Sequence, residues 1–211
     1  VGGFYYKATS KFGGVTFIAP GTATQNFYVT RDRIPARSVS AFAHASYKLT
    51  DALTVTGGIR YTDDKKTYTY GRLNPYDVSQ PAYTVAGAIN GVTGRFAKTR
   101  WDYRANVDYR WSHNVMTYAQ FSTGYKGGGV NPRPFAPEQA VSFNPETLTA
   151  WEIGAKTDFF DRALRVNISA FINKYKDIVF TNVSPTVNSV TNATPVNAGD
   201  ADMKGVEVEV T

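Results

Sequence analysis

The sequence contains no cysteine, which excludes disulfides, thiolate chemistry and cysteine-based metal sites together. No run of about 18 apolar residues is present, so no transmembrane helix is expected. No basic segment followed by an apolar one opens the chain, so no signal peptide is read. Histidine is nearly missing. His44 falls on an expected strand and His113 in an expected turn, and neither has a second histidine or a carboxylate at metal-ligand spacing. Gly-x-Ser-x-Gly and His-Glu-x-x-His are both lacking. Lys126, Gly127, Gly128 and Gly129 match a phosphate-cradling loop only in part, because the second glycine spacing, the Lys-Ser/Thr end and the following helix are missing. These gaps nominate no catalytic residue and no metal ligand; an enzyme is not expected, and no cofactor is.

What is present is aromatic and β-forming. The 211 residues include 14 Tyr, 13 Phe and 18 Gly, while Leu, Glu and Met are scarce. Val, Thr, Tyr and Phe suit pleated, half-buried surfaces, so the chain reads as all-β. Strict alternation is the strongest signal. Trp101, Tyr103, Ala105, Val107, Tyr109 and Trp111 alternate with Arg100, Asp102, Arg104, Asn106, Asp108 and Arg110. Leu164, Val166, Ile168, Ala170 and Ile172 oppose Arg165, Asn167, Ser169, Phe171 and Asn173. Trp151, Ile153, Ala155 and Phe159 oppose Glu152, Lys156 and Asp158; Leu53, Val55, Ile59 and Tyr61 oppose Thr54, Thr56, Arg60 and Thr62; Val206, Val208 and Val210 oppose Glu207 and Glu209.

The runs predict eight strands, near 2–9, 38–48, 53–64, 98–110, 115–125, 148–159, 163–176 and 202–211. Tight turns join some of them at 49–52, 111–114 and 160–163, each with an Asp or Asn expected to support the bend. Long loops are expected at about 11–37, 65–96, 126–146 and 177–200. Strands of about 10 residues, short turns on one rim and long loops on the other fit a tilted membrane span better than a soluble strand. Alternation alone suits a soluble barrel equally well. Three features favour the membrane: aromatics such as Tyr47, Tyr61, Trp101 and Trp151 at the ends of apolar faces, polar faces crowded with both charge signs, and small residues (Ala43, Ala45, Gly57, Ala105) at mid-face, too small to fill a core. The expected fold is an antiparallel transmembrane β-barrel segment with short periplasmic turns and long extracellular loops.

In that frame Arg60, Arg100, Asp102, Arg104, Asp108, Glu152, Lys156, Glu207 and Glu209 are expected to face the lumen. The net charge of +6 raises nucleic acid as a partner, but Asp102 and Asp108 interleave with the basic face of 98–110, so an ion-paired lumen wall is expected and nucleic acid is not. Binding residues concentrate on loops carried by a rigid scaffold. Arg31, Arg33, Tyr68, Tyr70, Arg72, Tyr76, Tyr83 and Arg95 are the ligand-binding candidates, with outer-membrane lipid and anionic lipopolysaccharide as further partners for basic residues at the outer rim.

Several segments resemble one family in order and spacing. Tyr118, Ser122, Gly124, Tyr125, Lys126, Gly128, Gly129 and Asn131 are similar to a strand exit of TonB-dependent outer-membrane receptors. Pro145, Glu146, Glu152, Gly154 and Lys156 resemble its next strand; Ala170, Phe171, Tyr175 and Asp177 the one after; Asn197, Ala198, Gly199, Ala201, Gly205 and Glu207 a third; and Leu53, Gly58, Arg60 and Tyr61 an upstream one. The resemblance implies a barrel of about 22 strands, preceded by a plug domain and a short box contacting TonB. Neither is recognised here, so residues 1–211 are expected to be an interior slice of the barrel. It also implies a function: capture of a scarce ligand, most commonly a ferric siderophore, and its import with TonB-coupled energy. Alternatives at this stage are a passive porin-like channel and a closed small barrel acting as an enzyme or adhesin.

Overall fold

The structure is a computed structural model that describes residues 1–18, 26–83, 85–187 and 190–211. The strands are β1 (Gly2–Ile18), β2 (Asn26–Lys48), β3 (Leu53–Thr69), β4 (Arg72–Leu73), β5 (Thr93–Arg110), β6 (Val115–Lys126), β7 (Gly129–Val130), β8 (Ser142–Phe143), β9 (Glu146–Phe159), β10 (Leu164–Val187) and β11 (Val190–Val210). Eight long strands form one antiparallel sheet in the order β1-β2-β3-β5-β6-β9-β10-β11; β4 adds to β2, and β7 pairs with β8 above the sheet. Each long strand pairs with its neighbour along the chain, a meander, and among the described residues β1 and β11 are the edges.

All eight expected strands are present, but several run much further toward the loop side. β2 starts at Asn26 rather than 38, and β1 reaches Ile18 rather than 9. β10 and β11 continue to Val187 and from Val190, across most of the expected loop at 177–200. The tips of these two expected loops, at 19–25 and 188–189, lie outside the described residues. The reason is physical. Hydrogen bonding keeps a hairpin zipped in or out of a membrane, but only the part meeting hydrocarbon needs an apolar face. Alternation therefore fades where pairing does not.

The tight turns also differ in detail. The first is held by the Thr50 hydroxyl, which accepts from the backbone N–H of Ala52 at 3.2 Å and of Leu53 at 3.0 Å, not by Asp51. In the second, the Ser112 hydroxyl accepts from the Asn114 N–H at 3.2 Å. In the third, Phe160, Asp161 and Arg162 all take positive φ, of 51, 56 and 73°, so strain sits where an aspartate is one of the tolerant residues.

Cross-strand register sorts the side chains. Tyr47 opposes Val55 and Val55 opposes Val107; Ala43 opposes Ile59 and Ile59 opposes Tyr103; Ala119 opposes Ile153 and Ile153 opposes Ala170, which opposes Val206. This face is apolar and largely exposed, including Trp101, Trp151, Ile153, Ile168 and Val208. A continuous apolar surface of that extent requires a non-aqueous neighbour. The opposite face carries Arg60, Arg100, Asp102, Arg104, Asp108, Glu152, Lys156, Glu207 and Glu209, with Arg60 opposite Asp102, Glu152 opposite Gln120, and Glu209 opposite Asn167. The buried core lies at neither face's middle but among the loops: Tyr68, Tyr70, Ile89, Phe96 and Val130.

The polar face is only partly ion-paired. Arg100 meets Asp102 at 2.8 Å. Asp108 instead accepts a hydrogen bond from Asn106 at 2.8 Å, and Arg60 lies over the rings of Phe4 and Phe42. Large rings on this face sit above glycines: a Cβ on Gly154 would meet the Tyr118 ring at 2.6 Å, so the glycine is what lets that ring lie flat across the strand.

Candidate functional site

The site is built where the strands leave the sheet. β3 and β4 continue one register against β2: Arg33 opposes Thr69, and Thr30 opposes Arg72. The kink between them is Gly71, whose N–H donates to Asp32 at 3.0 Å while its carbonyl accepts from the Arg31 N–H at 3.1 Å. Continuing the same alternation brings Asp32, Tyr68, Tyr70 and Arg72 to the polar side. Arg72 reaches Asp32 at 2.5 Å, and the Tyr68 hydroxyl donates to Asp32 at 2.7 Å. Tyr68 and Tyr70 stack with centroids 4.5 Å apart, and the Arg72 guanidinium lies over Tyr70 and Tyr28. The knot is almost dry: Tyr70 is 1% exposed, Asp32 3%, Arg72 4% and Tyr68 7%. Burial, with the negative charge of Asp32 beside them, pushes both tyrosine hydroxyls well above the usual range.

A second set of bonds ties three loops to this knot. The Tyr70 hydroxyl donates to the Asn131 carbonyl, and the Asn131 amide donates to the carbonyls of Gln139 at 2.9 Å and Ala193 at 3.1 Å. The Asn197 amide donates to the carbonyls of Asn144 at 2.9 Å and Asp177 at 2.8 Å. Glu146 accepts from the Tyr175 hydroxyl, from the Val179 N–H at 3.0 Å and from Lys126 at 3.3 Å. These donors, the Tyr175 hydroxyl foremost, hold the Glu146 carboxyl below the usual range. Asn131, Glu146, Tyr175, Asp177 and Asn197 all belong to the segments quoted above as a family resemblance; in the structure they are the pegs between loops and sheet.

Between the knot and these pegs opens a cleft of about 400 Å³, lined among others by Ile34, Lys66, Tyr68, Lys126 and Glu146. Lys66 donates to the Gly128 carbonyl at 2.8 Å and lies over the Phe96 ring. The cleft thus brings two ammonium groups to the polar side of the sheet. A second hollow of about 500 Å³ lies at the opposite, short-turn end, among Arg110, His113, Lys156, Asp158 and Arg165.

The eight loop candidates fall into three groups. Tyr68, Tyr70 and Arg72 are buried and hold the loops from inside, with the edge of Tyr68 also lining the cleft; the aromatic stack gains from exclusion of water, and the bond to Asp32 offsets the cost of burying the guanidinium. Arg31, Arg33 and Arg95 are exposed, but register places them on the apolar side of the sheet, away from the cleft. Tyr76 and Tyr83, 81% and 60% exposed, remain free on the β4 loop, with Tyr76 edge-on to Phe27. Sequence reasoning missed Asp32 and Lys66, and had Asn131 only as part of a family resemblance. Asp32 stood between two arginines in what read as loop; the available signal was that Thr30 and Asp32 alternate with Arg31 and Arg33, as in a strand.

Comparison with known proteins matches this architecture. The chain is 26% identical over 177 residues to the pesticin receptor of Yersinia enterocolitica, covering 82% of this chain and 23% of that protein. In structure it resembles the ferric yersiniabactin uptake receptor FyuA of Yersinia pestis, with TM-score 0.71, 20% identity, and coverage of 99% of this chain and 28% of that one. It also resembles the ferric-catecholate import receptor Fiu of E. coli K12, with TM-score 0.60, 17% identity, and coverage of 98% and 31%. The chain therefore spans about a quarter of the length of the relatives it matches first. A family model described as TonB dependent receptor-like, beta-barrel matches residues 1–211 throughout, and the chain belongs to that family.

Proposed function

We propose that this chain forms barrel wall and outer loops of an outer-membrane receptor that takes up a ferric siderophore and imports it with TonB-coupled energy. The observation that carries the reading is the cleft: it holds Lys66 and the Lys126–Glu146 ion pair on the polar side of the sheet, beside loops tied together by buried bonds. The Lys66 ammonium, over the Phe96 ring and without a carboxylate partner of its own, suits a compact anionic chelate. The names of the ferric yersiniabactin and ferric-catecholate receptors support the same ligand class. In this reading the polar face, Arg60 to Glu209, lines the lumen, the apolar face meets lipid, and Tyr76 and Tyr83 are the first aromatics a ligand encounters. TonB is engaged through parts of the receptor other than this wall.

The test is uptake of radio-iron as ferric siderophore by iron-limited cells carrying the complete gene, against cells lacking it. Uptake that requires the gene and collapses when the proton gradient is dissipated is expected. Substituting Lys66→Gln and Lys126→Gln together is expected to weaken ligand binding at the cell surface by about tenfold or more. Gene-dependent uptake that persists without the gradient would establish a passive channel instead.

A further inference from the structure

The charges around the cleft are not equally available to a ligand. Among the described residues that line it, Lys66 and Lys126 are the bases and Glu146 is the acid. Glu146 is the buried member: its side chain is 6% exposed, against 73% for Lys126. Three donors hold it, the Tyr175 hydroxyl, the Val179 N–H and the Lys126 ammonium at 3.3 Å. A buried carboxylate that loses its cation is costly. Lys126 therefore cannot turn to a ligand without stranding Glu146. Lys66 is placed differently. Its ammonium donates to the Gly128 carbonyl at 2.8 Å and lies over the Phe96 ring, so both of these partners are neutral. An ammonium has three N–H donors, and this one can take an anion without leaving the carbonyl.

The rest of the lining sets a second condition. Ile34, Val130, Phe143 and Val179 wall the cleft with apolar side chains. Asp64 stands beside Gly127, where a Cβ would lie 3.5 Å from its carboxylate, and accepts from the Tyr125 hydroxyl at 2.5 Å. The usable charge of the cleft is thus the Lys66 ammonium, set among apolar walls with a further carboxylate close by. Each anionic group of a ligand beyond the first meets apolar surface or a carboxylate, and unpaired charge taken out of water is expensive. An uncharged ligand fails in the opposite way, because it covers the Lys66 ammonium without answering it.

We infer that the cleft selects a ferric chelate with a single net negative charge and an aromatic or apolar face, and that Glu146 sets this charge limit by holding Lys126. It rests on the reading of the cleft as a ferric-chelate site. Lys66 is the cation that meets the ligand. Glu146 acts through Lys126 and is a positioning residue. The selection works against a highly charged chelate as much as in favour of the right one, which is how specificity is commonly built.

The experiment uses the complete receptor, purified in detergent and titrated calorimetrically with three synthetic ferric chelates. A bis-phenolate aminocarboxylate chelate carries one negative charge and two aromatic rings, a tris-catecholate chelate three negative charges, and a tris-hydroxamate chelate none. The bis-phenolate chelate is expected to bind at least about tenfold more tightly than either of the others. Glu146→Gln frees Lys126 and is expected to raise the affinity for the tris-catecholate chelate, relative to the bis-phenolate one, by about tenfold. Glu146→Gln/Lys126→Gln returns the cleft to its original charge and is expected to return the original ranking, a reversal that loosening of the loop does not produce. Lys66→Gln is expected to move the preference to the uncharged chelate. Tightest binding of the tris-catecholate chelate by the unaltered receptor overturns the charge limit without any variant needing to fold. A ranking that Glu146→Gln leaves in place overturns it too. Binding of none of the three chelates overturns the selection as stated, and gene-dependent uptake of ferric siderophore then decides whether the uptake reading falls with it.

Discussion

The Tyr70 hydroxyl donates to the backbone carbonyl of Asn131, 61 residues further along the chain, and the Asn131 side chain passes the connection on to Gln139 and Ala193. Segments from three hairpins therefore meet at one buried residue, one through its backbone carbonyl and the others through its side-chain amide. Asn131→Ala leaves two carbonyls without their donor, a cost of about 1–3 kcal/mol where the group is buried. The expected outcome is joint loss of amide-exchange protection in residues 129–143 and 190–196, with residues 66–73 kept by the Tyr70 bond to the unchanged backbone carbonyl. Loss confined to residues 129–143 would show that the loops are not coupled.

Asp32 and Arg72 form a pair with almost no solvent access. Removing one partner from a buried pair strands the other charge and costs about 3–5 kcal/mol. Asp32→Ala is therefore expected to expose the outer loops to protease in intact cells while the barrel still inserts. Adding Arg72→Met to Asp32→Ala should recover part of the loss, since the stranded charge is gone. A double variant no better than the single one would place the cost elsewhere, in the lost Tyr68 and Gly71 bonds.

The pH response follows from three groups. Tyr68 and Tyr70 are raised by burial first and by Asp32 next, with Arg72 opposing. A raised hydroxyl stabilises the fold below the ordinary tyrosine value of about 10 and loses that contribution as pH climbs through the raised value. Ultraviolet titration should show late-ionising tyrosines, two of which disappear in Tyr68→Phe/Tyr70→Phe. Glu146 is lowered, chiefly by the Tyr175 hydroxyl, so its contribution is present above the ordinary glutamate value of about 4.3 and fades as pH falls below it. Loosening of the Val179 segment in acid, measured by amide exchange, should vanish in Glu146→Gln.

Two glycines make opposite predictions. A Cβ on Gly71 would sit 2.3 Å from the Arg31 carbonyl oxygen, a backbone atom that cannot swing aside, whereas a Cβ on Gly57 meets nothing within 4 Å. Gly71→Ala is expected to destabilise the outer loops by about 1–3 kcal/mol, as overpacking does. Gly57→Ala should be neutral within about 0.5 kcal/mol. Thermal melts of the two variants in the same detergent give the comparison; equal melting temperatures would contradict it.

The sheet was legible in the sequence because hydrocarbon imposes a period. Where one face must be apolar, as in Trp101–Trp111 or Leu164–Ile172, alternation reports strand, register and face together, and the polar set from Arg60 to Glu209 falls on one side as its spacing requires. Beyond the aromatic belt that constraint lifts, and the sequence no longer distinguishes a paired strand from a loop; hence the missed extensions of β1, β2, β10 and β11. The motif residues Asn131, Glu146 and Asn197 were visible as a resemblance, but not as pegs. Only the tertiary structure decided that Tyr68, Tyr70 and Arg72 face inward around Asp32, while Arg31 and Arg33, their near neighbours, face out. That decision depends on which strand lies opposite and on what fills the space above the sheet, and neither is encoded within any one stretch of chain.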